Sequence, residues 1–153
     1  MGTAGPLKAI ADLPESFLVM NGDLLTDLDY ADLMRTHRAQ GNDATIGVYE
    51  KKVKIDLGVL ERDADGRITD YREKPTLGYE VSMGVYAFSR GVLQHVPDGY
   101  FDFPSLVLEL IRRGRPIRGY AFKGLWLDIG RAEDYAAAIE TFKRERKRFL
   151  PGG

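Results

Sequence analysis

The stretch that decides the fold reads Phe17-Leu18-Val19-Met20-Asn21-Gly22-Asp23. Its apolar run is short, continuous and bounded by polar residues, which is typical of a strand buried on both faces in an α/β sheet. Asp23 then lies at the carboxyl end of that strand. Because ligands of open α/β sheets bind outside these ends, and a carboxylate can hold a hard cation, the position favours a binding site. A simple turn capped by Asp23 is the alternative.

Strands and helices alternate downstream, and no repeat or linker divides the chain. A helix is predicted to begin after Asp29 and to end at Gly41-Asn42. Further helices are predicted over 103–113, with Asp102 as the cap, and over 132–149. The other predicted strands are 44–49, 57–61, 67–73, 81–88, 117–122 and 125–129, with a turn at 63–66. We therefore predict one α/β domain, residues 1–153, with a mixed layered sheet.

Composition and charge exclude several classes of protein. The 153 residues carry 22 Lys and Arg against 23 Asp and Glu, and this net charge of -1 argues against non-specific binding to nucleic acid or acidic membranes. The absence of Cys excludes a disulfide scaffold, a thiolate nucleophile and Cys-based metal sites. No apolar run approaches the roughly 20 residues that span a bilayer, and no signal peptide is evident. We expect a soluble, cytoplasmic protein.

A second carboxylate occupies a position like that of Asp23. Asp128 lies in Trp126-Leu127-Asp128-Ile129-Gly130, between an apolar strand and a helix. Two aspartates from distant strand ends suit a magnesium site, because Mg²⁺ takes one or two protein carboxylates and fills its other positions with water and phosphate oxygens. Capping of the last helix is the alternative role for Asp128.

Two further segments combine residue types that suit a phosphorylated ligand. In Glu73-Lys74-Pro75 the acid can accept hydrogen bonds from sugar hydroxyls and the ammonium can meet a phosphate; a solvated strand end is the alternative. Gly2-Thr3-Ala4-Gly5-Pro6-Leu7 offers small residues and free backbone amides, which would let a flat base or a phosphate approach closely. A frayed terminus is the alternative there.

Taken in order, these segments resemble those of the sugar-phosphate nucleotidyltransferases, also called sugar-nucleotide pyrophosphorylases. Mannose-1-phosphate guanylyltransferases and glucose-1-phosphate thymidylyltransferases are members of that family. The resemblance covers nearly the whole chain. It rests on Gly2–Leu7, Asn21–Asp23, Leu57–Val59, Glu73–Pro75, Val81–Tyr86 and Trp126–Gly130.

The resemblance implies a doubly wound nucleotide-binding fold, with a mixed sheet flanked by helices. It also implies transfer of a nucleotidyl group from a nucleoside triphosphate to a sugar 1-phosphate, with release of pyrophosphate. By resemblance, Asp23 and Asp128 are magnesium ligands and, with Lys74, the catalytic residues. The implied nucleotide-binding residues are Gly2, Thr3, Ala4, Gly5 and Gly22. The implied sugar-phosphate-binding residues are Gly58, Glu73, Lys74, Ser82 and Gly84. No protein nucleophile is needed, because such transfer requires mainly positioning and charge neutralisation.

One part of the family pattern does not occur in this sequence. The family signature, a Gly-rich loop with an Arg followed by Pro-Lys-Pro, lies upstream of the position matching Met1 in the family. We therefore expect residues 1–153 to be the C-terminal portion of a single nucleotidyltransferase domain, with the N-terminal strands of the sheet missing. Because that loop holds the triphosphate, we also expect turnover by this chain alone to be impaired. The strand at 17–20 would then be an unprotected sheet edge. We expect the chain to self-associate or to bind an N-terminal-half partner.

Two other functions are compatible with the sequence. A metal-dependent glycosyltransferase would use an Asp-x-Asp pattern, which occurs at Asp27–Asp29 and Asp63–Asp65, although a helix cap and a turn also account for these carboxylates. A non-catalytic sugar-nucleotide-binding or regulatory subunit would bind the nucleotide sugar without turnover. For His37 and His95 we predict structural roles. The basic run 143–148 is predicted to be a solvated helix end.

Overall fold

The computed structural model describes residues 2–150. The strands are β1 Ser16–Met20, β2 Leu24–Thr26, β3 Ala44–Lys54, β4 Val59–Arg62, β5 Ile68–Arg72, β6 Thr76–Ser89, β7 Ile117–Phe122 and β8 Trp126–Asp128. The α-helices are α1 Tyr30–Ala39, α2 Phe103–Arg112, α3 Ala132–Arg144 and α4 Arg146–Phe149, and two 3₁₀ helices cover Gly5–Ala9 and Arg90–His95. Across this described part of the chain, no helix is long and apolar enough to cross a membrane.

The main sheet is mixed and has the strand order β1-β6-β3-β7. Strand β6 pairs antiparallel with β1 and β3, whereas β3 and β7 are parallel. Two small antiparallel pairs, β2–β8 and β4–β5, complete the β-structure of residues 2–150. The predicted α/β class with a mixed sheet flanked by helices is confirmed. The predicted last helix is interrupted at Glu145, which separates α3 from α4.

Two apolar cores cover the two faces of the main sheet. On one face α2 and the 3₁₀ helices pack against the sheet, and the buried residues there include Phe17, Tyr86, Phe88, Phe103 and Leu106. On the other face α1 packs through Leu33 against Met83, Val85 and Ala87. Successive residues of β6 therefore contribute to opposite cores, as the alternation of side chains along a strand requires.

The strand β1 differs from its prediction. It pairs only with β6 and is an edge strand among residues 2–150. Phe17 is buried, but Leu18 and Val19 are half-buried and Met20 is 40% exposed. The expectation of burial on both faces is wrong, because an antiparallel edge strand can leave part of its surface to solvent.

A buried polar group joins α1 to β3 and β6. Thr45 Oγ1 lies 3.0 Å from Nδ1 of His37, and Ser89 Oγ lies 3.2 Å from Nε2. Ser89 also donates to the carbonyl oxygen of Asn42 at 2.8 Å. Burial lowers the pKa of His37, which keeps the ring neutral. These contacts agree with the structural role predicted for this histidine.

The strand β6 carries an irregularity at Gly84 that shapes the rest of the sheet. Ile46 pairs with Tyr86 but Val48 pairs with Ser82, so three residues of β6 lie opposite one residue of β3. Gly84 has φ of 72°, and a Cβ added to it would lie 2.7 Å from Nδ2 of Asn21. Only glycine combines a left-handed φ with the absence of a Cβ beside Asn21 without strain.

Beyond this irregularity, β3 and β6 continue as a two-stranded ribbon. The β3–β7 pairing ends at Tyr49 and Phe122, whereas the β3–β6 pairing continues to Lys54 and Thr76. The β4–β5 hairpin follows at the far end of this ribbon. The ribbon thus connects the core of the sheet to a small exposed hairpin.

We predict that Gly84→Ala destabilises the protein by about 1–3 kcal/mol, since it imposes a left-handed φ on a residue with a Cβ. Gly91→Ala is the matched control, because no atom lies within 4 Å of the added Cβ and its φ is not positive. Urea unfolding followed by circular dichroism measures both changes. Equal stability of the two variants would contradict the structural role given to Gly84.

The exposed edge of β1 predicts self-association. Edge strands with apolar surface pair with other chains unless charge protects them. We expect sedimentation velocity to show oligomers of the isolated chain, and Met20→Lys to shift them towards monomer. Leu108→Lys, at a position of α2 that is 51% exposed, is the control and should leave the distribution unchanged. A monodisperse wild-type monomer would show that this edge does not self-associate.

Candidate active site

The structure makes Asp23 and Asp128 neighbours. The turn Asn21-Gly22-Asp23 joins β1 to β2, and β2 pairs antiparallel with β8 so that Leu24 lies opposite Asp128. The amide of Ile129 donates to the carbonyl oxygen of Asp23 at 2.8 Å. Two carboxylates that are distant in sequence therefore lie at the same end of a two-stranded pair.

The irregularity in β6 anchors this pair to the main sheet. The indole N–H of Trp126 donates to the carbonyl oxygen of Met83 at 3.1 Å. The amide of Asn21 donates to the carbonyl oxygen of Gly84 at 2.9 Å. The amide of Gly84 in turn donates to Ser82 Oγ at 3.3 Å. Ser82 and Gly84 are thus next to the segments that carry Asp23 and Asp128.

The two carboxylates border two separate cavities. Asp23 lines a cavity of about 620 Å³ together with Thr3, Leu7, Val19, Met20, Asn21, Gly22 and Phe103. Asp128 lines a cavity of about 390 Å³ together with Tyr49, Lys51, Trp126, Leu127, Arg131 and Asp134. The β2–β8 pair therefore has one candidate binding cavity at each of its two aspartates.

The carboxylates have the chemistry of a magnesium site. Within residues 2–150 no group of three or more His, Cys, Asp or Glu side chains could hold a metal ion. Zinc sites need three or four protein ligands, whereas Mg²⁺ binds through one or two carboxylates and keeps several waters. Asp23 and Asp128 are both exposed, so water and phosphate oxygens can reach them. Each carboxylate is thus an oxygen ligand of the type that Mg²⁺ binds.

The N-terminal loop is anchored rather than frayed. The amides of Ala4 and Gly5 both donate to the carbonyl oxygen of Phe101, at 3.0 and 3.2 Å. The amide of Phe103 donates to Thr3 Oγ1 at 3.0 Å. The expectation that the loop offers free amides to a phosphate is therefore wrong for Ala4 and Gly5, because both amides already donate to the segment that precedes α2. Gly2 packs against the backbone of Phe101 and Ala4 is fully buried, so of the loop residues Gly2 to Gly5 only Thr3 lines the cavity beside Asp23.

A second group of predicted residues lies on the β4–β5 hairpin. The hydroxyl of Tyr71 donates to Glu73 Oε2 at 2.5 Å, and this bond raises the pKa of Tyr71. The same hydroxyl overlaps the position that a Cβ at Gly58 would take, so a larger residue there would displace Tyr71. Lys74 follows with φ of 44° and is exposed. Sequence reasoning missed Tyr71, although its spacing two residues before Glu73 on a strand places both on one face.

The predicted site residues therefore form two groups. The segments that carry Asp23, Ser82, Gly84 and Asp128 are joined at the base of the ribbon, and Thr3 lines the cavity beside Asp23. Gly58, Glu73 and Lys74 lie beyond its far end, where Thr76 pairs with Lys54. The cavity beside Asp128 adds residues that sequence reasoning did not single out, namely Tyr49, Lys51, Arg131 and Asp134.

Both Asp-x-Asp segments have structural roles. Asp27 accepts a hydrogen bond from the amide of Leu125 and forms an ion pair with Arg148, each at 2.6 Å. Asp29 caps α1 by accepting from the amide of Asp32 at 2.9 Å. In the other segment, Asp63 accepts from the amides of Asp65 and Arg67 at 3.0 and 2.9 Å. The predicted cap and turn are confirmed, which removes these patterns as support for a glycosyltransferase.

Comparison with solved structures agrees with this fold. HddC from Yersinia pseudotuberculosis superposes with a TM-score of 0.63 at 26% sequence identity, covering 92% of this chain and 62% of that one. HddC in complex with GMP-PN gives a TM-score of 0.62 at 25% identity.

Curated proteins are similar over most of this chain. A UTP--glucose-1-phosphate uridylyltransferase from Synechocystis is 32% identical over 99% of the chain and 43% of the relative. Mannose-1-phosphate guanylyltransferase catalytic subunit beta from Dictyostelium discoideum is 27% identical over 99% of the chain and 44% of the relative. The chain thus spans less than half the length of these relatives. A family profile described as Nucleotidyl transferase matches residues 1–145. This match over nearly the whole sequence shows that the chain belongs to the nucleotidyl transferase family, as its resemblance to sugar-phosphate nucleotidyltransferases implied.

Proposed function

We propose that this chain takes part in Mg²⁺-dependent transfer of a nucleotidyl group from a nucleoside triphosphate to a sugar 1-phosphate. A phosphate oxygen of the sugar 1-phosphate attacks the α-phosphorus and forms the new P–O bond. The bond from the α-phosphorus to the oxygen bridging it to the β-phosphate breaks, and pyrophosphate leaves with that oxygen and its electron pair. The products are an NDP-sugar and pyrophosphate. The relatives named above, a uridylyltransferase and a guanylyltransferase of sugar 1-phosphates, support this proposal.

The observation that carries the proposal is the meeting of three distant segments at the irregularity of β6. Asn21–Asp23, Ser82–Gly84 and Trp126–Asp128 are joined there by backbone and indole hydrogen bonds. In-line transfer between two phosphates depends mainly on positioning and on neutralising charge. A rigid junction with two exposed carboxylates and a cavity beside each meets that requirement.

The residues present divide the proposed tasks between them. Asp23 and Asp128 would hold Mg²⁺, whose charge, when bound, neutralises phosphate oxygens. Thr3 and Gly22, which line the cavity beside Asp23, would lie next to the base. Glu73, oriented by Tyr71, would accept hydrogen bonds from sugar hydroxyls, and Lys74 would meet the sugar phosphate.

We also propose that binding by this chain is easier to detect than turnover. The Gly-rich loop with an Arg that would hold the triphosphate does not occur in the sequence. Stabilisation of transferring phosphoryl groups by such cationic clamps is a large part of catalysis. The cytoplasmic location and the partner expected from the sequence stay predictions.

We predict that the chain binds at least one NDP-sugar in the presence of Mg²⁺, and that it releases pyrophosphate slowly with the matching substrate pair. Equilibrium dialysis against a panel of NDP-sugars measures the first, and a coupled pyrophosphate assay over pairs of nucleoside triphosphates and sugar 1-phosphates measures the second. Binding without release for every pair would instead indicate a non-catalytic subunit. Neither binding nor release would show that the proposed function is wrong.

We predict that Asp128→Asn weakens Mg²⁺-dependent NDP-sugar binding roughly tenfold or more, because it removes a metal-binding charge at nearly constant shape. The same dialysis with and without Mg²⁺ measures the effect. Asp65→Asn, in the exposed turn of the other acidic segment, is the control and should bind as the wild type does. If Asp128→Asn kept the wild-type magnesium dependence, Asp128 would not belong to the metal site.

A further inference from the structure

The cavity beside Asp128 contains two cations that the proposed tasks leave unused. Its walls are the ribbon strand β3, which contributes Tyr49 and Lys51, and the segment from β8 to the start of α3, which contributes Arg131. Its volume of about 390 Å³ is sufficient for a phosphorylated monosaccharide. Lys51 and Arg131 both line this space.

The ammonium of Lys51 is available to a ligand. Within residues 2–150, Lys51 makes neither a hydrogen bond nor an ion pair. By contrast, Lys54 on the same strand forms an ion pair with Asp56 at 3.1 Å. Arg131 is 3.6 Å from Glu133, and its side chain is 79% exposed. Exposed pairs of this kind contribute little, so a ligand can displace Glu133 at small cost.

The charges of the cavity favour an anion once a divalent cation is bound. Lys51 and Arg131 balance Asp128 and Asp134, so the four side chains sum to zero. A divalent cation at the neighbouring aspartates would give the cavity an excess of positive charge. A phosphate is the ligand group that meets a divalent cation, an ammonium and a guanidinium together.

The floor of the cavity is held in place. The indole of Trp126 is fixed by its hydrogen bond to Met83, and the ring of Tyr49 lies against it with centroids 5.3 Å apart. These contacts set the distance between the ribbon and β8. The backbone segments that carry the two cations are therefore held around a space of defined width, so a ligand has to order only their side chains.

We infer that Lys51 and Arg131 bind the phosphate of the sugar 1-phosphate beside Asp128. This inference deepens the proposed function and rests on it. The cavity at Asp23 adjoins the Thr3 loop, which suits the nucleotide, and this leaves the Asp128 cavity for the second substrate. Lys51 lines this cavity, whereas Lys74 lies beyond the far end of the ribbon. Phosphate recognition is thus assigned to Lys51 in addition to Lys74.

The protein contains its own reporter for this test. Trp126 is the one tryptophan in the sequence, and it forms part of the cavity. Its fluorescence can be followed while mannose 1-phosphate, glucose 1-phosphate or inorganic phosphate is titrated in, with and without Mg²⁺. The unphosphorylated sugars serve as ligands that lack the group in question. Thermal unfolding of each variant confirms that it is folded.

We expect Lys51→Ala and Arg131→Ala each to weaken binding of the sugar 1-phosphates about tenfold or more, as loss of a charge-assisted hydrogen bond requires. Lys51→Arg should retain most of the affinity. Lys52→Ala is the matched control: it lies one residue further along β3, opposite Gly78, and alternation directs it to the other face of the ribbon. It should bind as the wild type does.

Two results would overturn the inference. One is equal affinity of Lys51→Ala, Arg131→Ala and Lys52→Ala for the sugar 1-phosphates, even if pyrophosphate release is observed. The other is the absence of any sugar 1-phosphate binding by the wild-type chain with Mg²⁺ present. Conversely, selective loss of binding in the first two variants supports the phosphate site. That result supports the phosphate site even if no substrate pair releases pyrophosphate. A lack of release would then count only against the proposed function.

Discussion

The backbone of β6 between Ser82 and Val85 is the constraint on which the other placements depend. At Gly84 the chain takes a left-handed conformation, and the carbonyl group of Met83 accepts a hydrogen bond from a partner outside the main sheet. That partner is the indole of Trp126, whereas the amide of Asn21 binds the carbonyl of Gly84 as a continuation of the β1–β6 register into the turn that carries Asp23. A regular strand would have used its backbone groups in the ladders to β1 and β3. The irregularity therefore attaches β2 and β8, with their aspartates, to the core.

Much of the fold followed from local sequence patterns. Apolar periodicity identified the helices, and Asp29 and Asp102 cap α1 and α2 as expected because an N-cap depends only on the next few residues. The position of β1 could not be obtained in this way. A short apolar run looks the same in a central strand and in an edge strand, and only the pairing with β6 shows which it is.

The site residues at the ends of strands could be predicted from the sequence. Those whose facing depends on how distant strands pair could not. Asp23 and Asp128 each follow a short apolar strand, and the structure brings them together. Lys51 and Lys52 are indistinguishable in sequence, because only the register of β3 against β6 and β7 shows which of them faces Trp126. The amides of Ala4 and Gly5 were misjudged for the same reason, since their acceptor, Phe101, is remote in sequence.

The length of the ribbon formed by β3 and β6 sets the distance between the two groups of site residues. Each further residue pair would move the β4–β5 hairpin outward by about 3.3 Å. An odd number of added pairs would also turn Tyr71 and Glu73 to the opposite side, because side chains alternate. Changes in ribbon length can thus alter the reach and the facing of the hairpin in discrete steps. The junction that carries Asp23 and Asp128 would be untouched by such changes.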